Sequence, residues 1–232
     1  MTRKEYITIR ERLRKGEAQQ WTPEQAAEFL KAETAENIRV GLRKAQAAPK
    51  PLDADTLGRL LTIYGGNFGV WGLFTRIVKK YALTPQAFAE GLAWAYTTGA
   101  ADRETALVLF QCIDRRDIMT PQDRAALDAM PDTLTIYRGC GDEETRGGRY
   151  GLSWTDNRAI AEFFAFRYND QGRAVVQTTV NRSDVLAYFS TRGESELIAD
   201  IIAPPCNVEI VTTTPTAVFD EYMNRRRNFT NQ

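Results

Sequence analysis

The strongest constraint on the fold is a change of sequence character near Pro131, which divides the 232-residue chain into two parts. Before it, apolar residues recur at three- and four-residue spacing, which is the period of an amphipathic helix. After it come short runs of strand-forming residues, separated by Gly, Pro, Asn or Asp. Helices followed by a run of strands are typical of an α+β protein. We therefore predict a helical region over 1–130 and a mainly antiparallel β region over 131–232.

Three Thr-Pro pairs mark predicted helix starts in the first part: Thr22-Pro23, Thr84-Pro85 and Thr120-Pro121. Threonine can cap the unpaired amides of a first turn, and proline fits the first helical position because its missing N–H would have no partner there. The prolines within 49–51 end the first of these helices. The predicted helices are 23–47, 54–64, 70–82, 86–97 and 103–114, with a turn at 65–69.

The second part contains six predicted strands and one predicted helix, and turn-forming residues separate the strands. Thr155-Asp156 can cap the helix, whose apolar stripe includes Ile160 and Phe163. The predicted strands are 133–138, 150–154, 173–180, 184–190, 195–202 and 207–213, and the predicted helix is 157–168. Two segments, 141–151 and 169–172, are expected to be mobile loops.

The composition narrows the chemistry that the chain can perform. It contains no histidine, which excludes Ser-His-Asp and Cys-His catalysis and the common histidine-based metal sites. Its three cysteines lie far apart and form no CxxC pair, so we expect neither a zinc site nor a disulfide scaffold. Acid–base work would fall on carboxylates, tyrosine, lysine or the substrate itself.

Charge and hydropathy indicate the expected location and partners. Thirty basic and thirty acidic side chains cancel, so the whole-chain charge does not favour nucleic acid. The basic residues within 3–15 and 225–227 are interpreted as a solvated face and a frayed end. No apolar run approaches the roughly 18 residues of a membrane span, and no hydrophobic region follows the charged N-terminus. We expect a cytoplasmic protein without a membrane partner, or one delivered into a host cell without a cleavable signal.

Three short motifs in the β part contain the candidate functional residues. In Tyr137-Arg138-Gly139 the arginine ends a strand, where its guanidinium can bind phosphate oxygens in a bidentate way, and the glycine would let a flat ligand approach the backbone. In Ser153-Trp154-Thr155 the two hydroxyls share a face, because alternate side chains of a strand point the same way. By the same rule both carboxylates of Glu194-Ser195-Glu196 would project together.

Each motif also has a purely structural interpretation when it is taken alone. Arg138 could pair with Asp142 or Glu143, and Ser153-Trp154-Thr155 could be only a strand end with a helix cap. The acidic pair could be solvent-exposed near Arg192. The order and spacing of the three motifs, rather than any one of them, support a functional hypothesis.

Together with the helix that contains Phe163-Phe164, the three motifs resemble the ADP-ribosyltransferase superfamily in its Arg–Ser–Glu branch. That family has an aromatic-Arg-Gly strand end, a Ser-x-Ser/Thr strand that leads into a helix, and a Glu/Gln-x-Glu motif that closes the site. The resemblance covers about residues 131–214 and does not explain 1–130, and Thr155 stands where serine is commoner. It implies an ADP-ribosyltransferase-like split β-sandwich for the β part.

The resemblance also implies a role for each matched residue. Glu196 would accept a hydrogen bond from the ribose 2′-OH of NAD and stabilise the cationic transition state. Arg138 would hold a phosphate or the nicotinamide ribose, and backbone groups of Gly139 would bind the nicotinamide amide. Ser153 would orient Arg138 or Glu196 or contact the ribose, with Thr155 supporting the strand.

The remaining implied roles concern the acceptor and the nicotinamide ring. Glu194 would orient or deprotonate the acceptor, and an acid at this place resembles arginine-modifying members of the family. Segment 190–193 matches the loop in which the family reads its acceptor. Phe164, Phe163 or Tyr150 would stack on the nicotinamide, and the sequence does not choose among them.

The implied function is mono-ADP-ribosylation, in which NAD is a substrate and its ADP-ribose moves to a macromolecule with release of nicotinamide. The favoured acceptor is an arginine on a protein. Three alternatives stay open: an NAD glycohydrolase or nucleic-acid transferase that uses the same residues, an inactive binding module of the same fold, and an interaction protein with a coincidental motif. The lack of a GxGxxG turn between a strand and a helix excludes a Rossmann domain. No metal is expected, and the oligomeric state stays undetermined.

Overall fold

The structure is a computed structural model, and it describes residues 1–17, 20–168, 171–190, 193–204 and 206–230. The helices are α1 (Arg3–Arg14), α2 (Pro23–Ala47), α3 (Ala54–Lys80), α4 (Pro85–Thr98), α5 (Arg103–Gln111), α6 (Arg115–Ile118), α7 (Pro121–Asp128), α8 (Asp142–Gly147), α9 (Arg158–Phe166) and α10 (Ala217–Thr230). The strands are β1 (Thr133–Gly141), β2 (Ser153–Thr155), β3 (Arg173–Asn181), β4 (Ala187–Phe189), β5 (Glu196–Ile198) and β6 (Glu209–Thr212). A short 3-10 helix, Arg182–Asp184, lies between β3 and β4.

This combination of helices with one antiparallel six-stranded sheet confirms the predicted α+β class. The chain divides into two compact units, Met1–Asp102 and Arg103–Gln232. The sequence-based boundary at residue 130 assigned α5–α7 to the helical region, whereas the structure groups these helices with the sheet. Among the described residues, the helices lack any stretch long and apolar enough to cross a membrane.

The first unit consists of α1–α4, and its helix starts follow the predicted capping rules. Thr22 and Thr84 accept hydrogen bonds from the third amides of α2 and α4, and a proline opens each helix. α3 consists of two helical segments that meet at a kink, where Gly66 has a φ of 55° and a ψ of −166°, which are not helical. The kink lies within the predicted turn at 65–69 and confirms the predicted separation into two helices, although the non-helical part is shorter than predicted.

α1 was not predicted, and an ion pair between exposed Arg3 and the buried carboxylate of Glu36 attaches it to α2. Thr2 and Glu5 form a reciprocal capping box at its start. Arg3 donates to both carboxylate oxygens of Glu36 at 2.7 and 2.9 Å. These hydrogen bonds lower the pKa of Glu36 to about 2, although burial opposes the shift. The basic N-terminal stretch is therefore partly engaged in packing rather than only a solvated face.

The sheet of the second unit has the strand order β4-β5-β2-β1-β3-β6. β1 and β3 pair without interruption from Thr133↔Asn181 to Gly141↔Arg173. Within the described residues, β1 and β2 share the single register pair Tyr137↔Thr155. The sheet therefore consists of two three-stranded parts joined at one point. We call β1, β3 and β6 the long half, and β2, β4 and β5 the short half.

α9 covers the long half and approaches β1 at Gly139. A β-carbon on Gly139 would lie 2.4 Å from the carbonyl oxygen of Ala161 and 2.5 Å from the amide nitrogen of Ala165. Glu162, fully buried on α9, accepts hydrogen bonds from the amide and hydroxyl of Thr216, just before α10. Close packing and one buried carboxylate therefore attach both helices to this part of the unit.

Candidate active site

The three sequence motifs lie on three neighbouring strands, in the order β5, β2 and β1. Arg138 is on β1, Ser153 on β2 and Glu196 on β5. Thr155 is the register partner of Glu196, and Ser153 is the partner of Ile198. Since paired residues and alternate residues share a face of a sheet, Ser153, Thr155 and Glu196 emerge on one side of the short half.

Arg138 spans the place where β1 and β2 part. Its Nη1 donates to the backbone carbonyl of Ser153 at 2.7 Å, and its Nε donates to Oε1 of Glu144 at 3.0 Å. The Nη2 of Arg138 lies 2.9 Å from the same carboxylate oxygen. The structural alternative of a pair with Asp142 or Glu143 is therefore wrong in its partner, because the carboxylate next to Arg138 belongs to Glu144.

Glu144 is a site residue that the sequence analysis missed. Its Oε1 also accepts a hydrogen bond from the amide of Gly151 at 2.7 Å. A β-carbon at Gly151 would lie 2.3 Å from Nη2 of Arg138, so a side chain here would displace the guanidinium from its present position. The prediction of a mobile loop over 141–151 is wrong for its first part, which is helix α8. Acidic residues in the first turn after Gly141 were the available signal, because they favour a helix N-terminus.

Strand β5 begins at Glu196, one residue later than predicted, and this changes the geometry of the acidic motif. Ser195 has a φ of 45°, in the left-handed region, so the two-residue period of a strand does not extend to Glu194. The predicted projection of both carboxylates from one strand face is therefore wrong. Glu194 instead lies in the turn that leads into β5.

Side chains from β2 and β4 hold this turn. The hydroxyl of Thr155 donates to the backbone carbonyl of Glu194 at 3.1 Å and accepts from the amide of Asn157 at 3.2 Å. The phenol of Tyr188 donates to the hydroxyl of Ser195 at 3.4 Å. Buried Thr155 thus links the end of β2, the start of α9 and the acidic turn, which is a supporting role of the kind expected for it.

The structure gives Gly139 a different use from the one predicted. The space that a side chain would occupy is filled by the backbone of α9, as the distances to Ala161 and Ala165 show. The glycine therefore permits helix packing, and the approach of a flat ligand from that side is blocked. Cys140, the next residue, is buried, and burial raises its pKa to about 11, so it is a protonated thiol at neutral pH.

The three aromatic candidates for nicotinamide stacking differ in accessibility. Tyr150 is only 4% exposed, and its ring packs against Trp154 with centroids 5.7 Å apart, so it belongs to the core. Phe163 and Phe164 are half-buried on α9, with ring centroids 5.4 Å apart. The guanidinium carbon of Arg167 lies 4.6 Å from the Phe164 ring centroid. Accessibility therefore favours the two phenylalanines over the tyrosine.

Asp123 is a second residue that the sequence analysis missed. This carboxylate on α7 is 2% exposed and accepts hydrogen bonds from the amide and hydroxyl of Ser190 at 2.9 and 2.6 Å. The hydroxyl of Thr120 donates to its other oxygen at 2.7 Å. Burial alone would raise the pKa of Asp123, but the donated hydrogen bonds outweigh it and hold the pKa below its ordinary value. The available signal was the helix start at Thr120-Pro121, which places Asp123 in the first turn.

Some predicted loop residues lie outside the described residues, namely Thr191 and Arg192 of segment 190–193, and Asn169 and Asp170 of segment 169–172. Within the described ranges, cysteine, aspartate and glutamate side chains form no group of three or more that could hold a metal ion. Comparison of the chain with protein-family models, curated proteins and solved structures finds no match. The functional assignment therefore depends on the motifs and on the geometry described above.

Proposed function

We propose that this chain is a mono-ADP-ribosyltransferase, which cleaves NAD and transfers ADP-ribose to a macromolecular acceptor. The observation that supports it best is the position of Arg138, Ser153 and Glu196 on three adjacent strands, where the two halves of the sheet part. Distant segments of the sequence thereby bring a guanidinium, a hydroxyl and a carboxylate to one region of the fold. A guanidinium for the phosphates and a carboxylate for the developing positive charge are the groups that cleavage of a cationic nucleotide sugar uses.

The same proposal includes the finer fold, an ADP-ribosyltransferase-like split β-sandwich. Its support is the division of the sheet into a long half and a short half that share one register pair among the described residues. β1 and β2 diverge on either side of this pair. Arg138 crosses this opening to the carbonyl of Ser153, which keeps the strand ends at a fixed separation.

The reaction begins with heterolysis of the bond between the ribose C1′ and the nicotinamide nitrogen. The bonding electrons go to nicotinamide, which leaves as a neutral molecule, and positive charge develops on the ribose. Glu196 accepts a hydrogen bond from the 2′-OH and stabilises that charge. Three N–H groups of Arg138 suffice for its contacts with Glu144 and Ser153, so two of the five can be offered to a phosphate.

The acceptor then attacks C1′ and loses a proton. In this proposal the acceptor is an arginine side chain on a protein, and Glu194, in the turn before β5, orients it and takes the proton. Water as the nucleophile would give NAD hydrolysis, and a base or sugar would give nucleic-acid modification. The residues around the ribose serve all three reactions, so identification of the product decides among them.

The test measures nicotinamide release from NAD by the full chain, with identification of labelled species in a cell lysate by mass spectrometry. We expect Glu196→Gln to lower release by at least ~100-fold, the range seen when one charge-stabilising group of an active site is lost. Glu209→Gln, an exposed glutamate on β6, is the matched control and should leave release unchanged. Near-normal release by the Glu196 variant would refute the assignment.

Two further outcomes separate the alternatives. Labelled nucleic acid, or free ADP-ribose without any labelled macromolecule, would identify a nucleic-acid transferase or a glycohydrolase. NAD binding by calorimetry without turnover of the natural chain would identify an inactive binding module, and lack of both would leave only a coincidental motif.

A further inference from the structure

The contact between α7 and β4 is fixed by a buried carboxylate that the proposed reaction does not use. Asp123 receives three hydrogen bonds, two from Ser190 and one from Thr120. Ser190 directly follows β4, so these bonds hold the end of that strand. A buried carboxylate is costly unless it is fully hydrogen-bonded. Its use to join a helix to a strand therefore indicates that the position of the strand matters.

The strand end that Asp123 holds lies beside the predicted catalytic glutamate. Phe189, the last residue of β4, is the register partner of Glu196. β4 is an edge strand of three residues, so its backbone ladder gives it limited support. The residues just before α7 support β4 further, because the amide of Tyr188 donates to the sulfur of Met119 at 3.3 Å. α7 and the residues before it therefore position β4, and β4 flanks β5 at Glu196.

On its opposite side, Glu196 is paired with Thr155 of β2. The backbone of Glu196 therefore lies between β2, which is hydrogen-bonded to the turn at Glu194, and β4, whose end is held by Asp123. We infer that Asp123 is a positioning residue for Glu196, acting through Ser190 and the end of β4. The inference rests on the proposed function, since it assigns Asp123 a part in the same reaction without contact with NAD.

The chemistry of the contact explains why an aspartate is required. An ionised carboxylate only accepts hydrogen bonds, and here both of its oxygens face donors. Asparagine has the same shape, but its NH₂ group would face a hydroxyl or an amide. Asp123→Asn therefore replaces a charged acceptor by a neutral amide with little change in volume, and the Thr120 hydroxyl, which donates to the aspartate, would have to turn and accept instead.

The experiment compares steady-state NAD cleavage by Asp123→Asn and Asp128→Asn. Asp128 lies on the same helix, is 60% exposed and faces Arg116 at 4.0 Å, so it provides the same substitution away from β4. We expect Asp123→Asn to lower kcat for nicotinamide release about tenfold with KM for NAD within about twofold, the scale known for residues that orient a reactive group. The control should keep both constants. Equal kcat values for the two variants would overturn the inference.

Two further measurements distinguish positioning from simple loss of folded protein. Ser190→Ala should also lower kcat, while Ser190→Thr, which keeps the hydroxyl donor, should restore it. In a Glu196→Gln background, Asp123→Asn should give no further loss of the residual rate, because its effect passes through Glu196. A further tenfold loss in that background would show a general structural effect and overturn the inference.

Amide hydrogen exchange separates failure of this inference from failure of the proposed function. If the natural chain releases no nicotinamide, the proposed function fails, and exchange still tests the contact. We expect Asp123→Asn, and not Asp128→Asn, to speed exchange at least tenfold in the peptide that contains Glu196, with β1 and β3 unaffected. Unchanged exchange in that peptide would overturn the positioning role whatever the activity.

Discussion

β1 and β3 of the long half pair along their whole lengths, whereas each strand of the short half has three residues. One face of the long half packs against α9, where Val175 is fully inaccessible and clusters with Ala161, Ala165 and Phe166. The short half relies on side-chain hydrogen bonds, including those from Thr155 to Glu194 and from Ser190 to Asp123. A long backbone ladder between β1 and β3 thus fixes the first half, while the second combines short, buried strands with a few polar side-chain contacts.

The two halves should therefore differ in how their stability responds to substitutions. Burial is spread over many apolar contacts and is roughly proportional to area, so small losses change stability gradually. A buried polar contact depends on each partner, because loss of one partner leaves the other unsatisfied. The candidate catalytic residues lie mostly in the short half, and substitutions can test whether the two halves respond separately.

The largest expected effect is on the long half, from Gly139→Ala. The added β-carbon would meet the α9 backbone at 2.4 Å, and backbone atoms cannot move aside as a flexible side chain can. We expect a loss of about 3 kcal/mol or more in the free energy of unfolding, measured by urea denaturation, as for severe overpacking. Gly147→Ala is the control, because no atom lies within 4 Å of the added carbon. Equal stabilities of the two variants would contradict this account of the packing.

A smaller effect is expected at the junction of the halves, from Glu144→Gln. The substitution replaces the carboxylate that accepts from Arg138 by a neutral amide, and it weakens the hydrogen bond from the backbone amide of Gly151. We expect a loss of roughly 1–3 kcal/mol in unfolding free energy, and about tenfold slower nicotinamide release. Exposed Glu143→Gln should change stability by less than about 0.5 kcal/mol. A variant with weakened stability but full activity would show that the junction does not shape the site.

Acid should weaken the short half through Asp123. Burial would raise the pKa of Asp123, but hydrogen bonds from Ser190 and Thr120 outweigh it and hold the folded-state pKa below the ordinary value of 3.8. The stabilisation is therefore complete above that ordinary value and is lost as the pH falls through the lower folded-state pKa. We expect amide exchange at Ser190 to quicken in this range relative to Val176 of β3. The difference should vanish in Asp123→Asn, and its persistence there would implicate another group.

The smallest effect is expected at Ser195, whose φ is in the left-handed region. Glycine adopts this conformation without the penalty of about 1–2 kcal/mol that other residues pay, but it adds flexibility to the unfolded chain worth roughly 0.5–1 kcal/mol. Both Ser195→Gly and Ser195→Ala lose the contact with Tyr188, so Ser195→Gly should change stability by less than about 1 kcal/mol. Ser195→Ala retains the strain and loses the contact with Tyr188. Thermal unfolding should rank Gly above Ala, and the reverse order would show that strain is negligible.

Local signals allowed much of the secondary structure to be predicted. The Thr-Pro pairs locate the starts of α2, α4 and α7, because a cap and a first-position proline act within a few residues. The six β-rich runs correspond to six observed strands. The predicted turn at 65–69 contains the kink of α3 at Gly66, and the chain packs closely beside it at Gly65, whose added β-carbon would lie 2.7 Å from Val70. α1, α6, α8 and α10 were missed.

For the candidate site, residue types alone identify the available guanidinium, hydroxyls and carboxylates, and they exclude histidine chemistry. The order of the strands, the pairing of Arg138 with Glu144 and the contact of Asp123 with Ser190 become visible only in the folded chain. The folded chain also shows that Ser195 breaks the strand period between the two acids. The physical reason is range: capping and strand propensity act between near neighbours, whereas strand order and buried hydrogen bonds depend on which distant segments pack together.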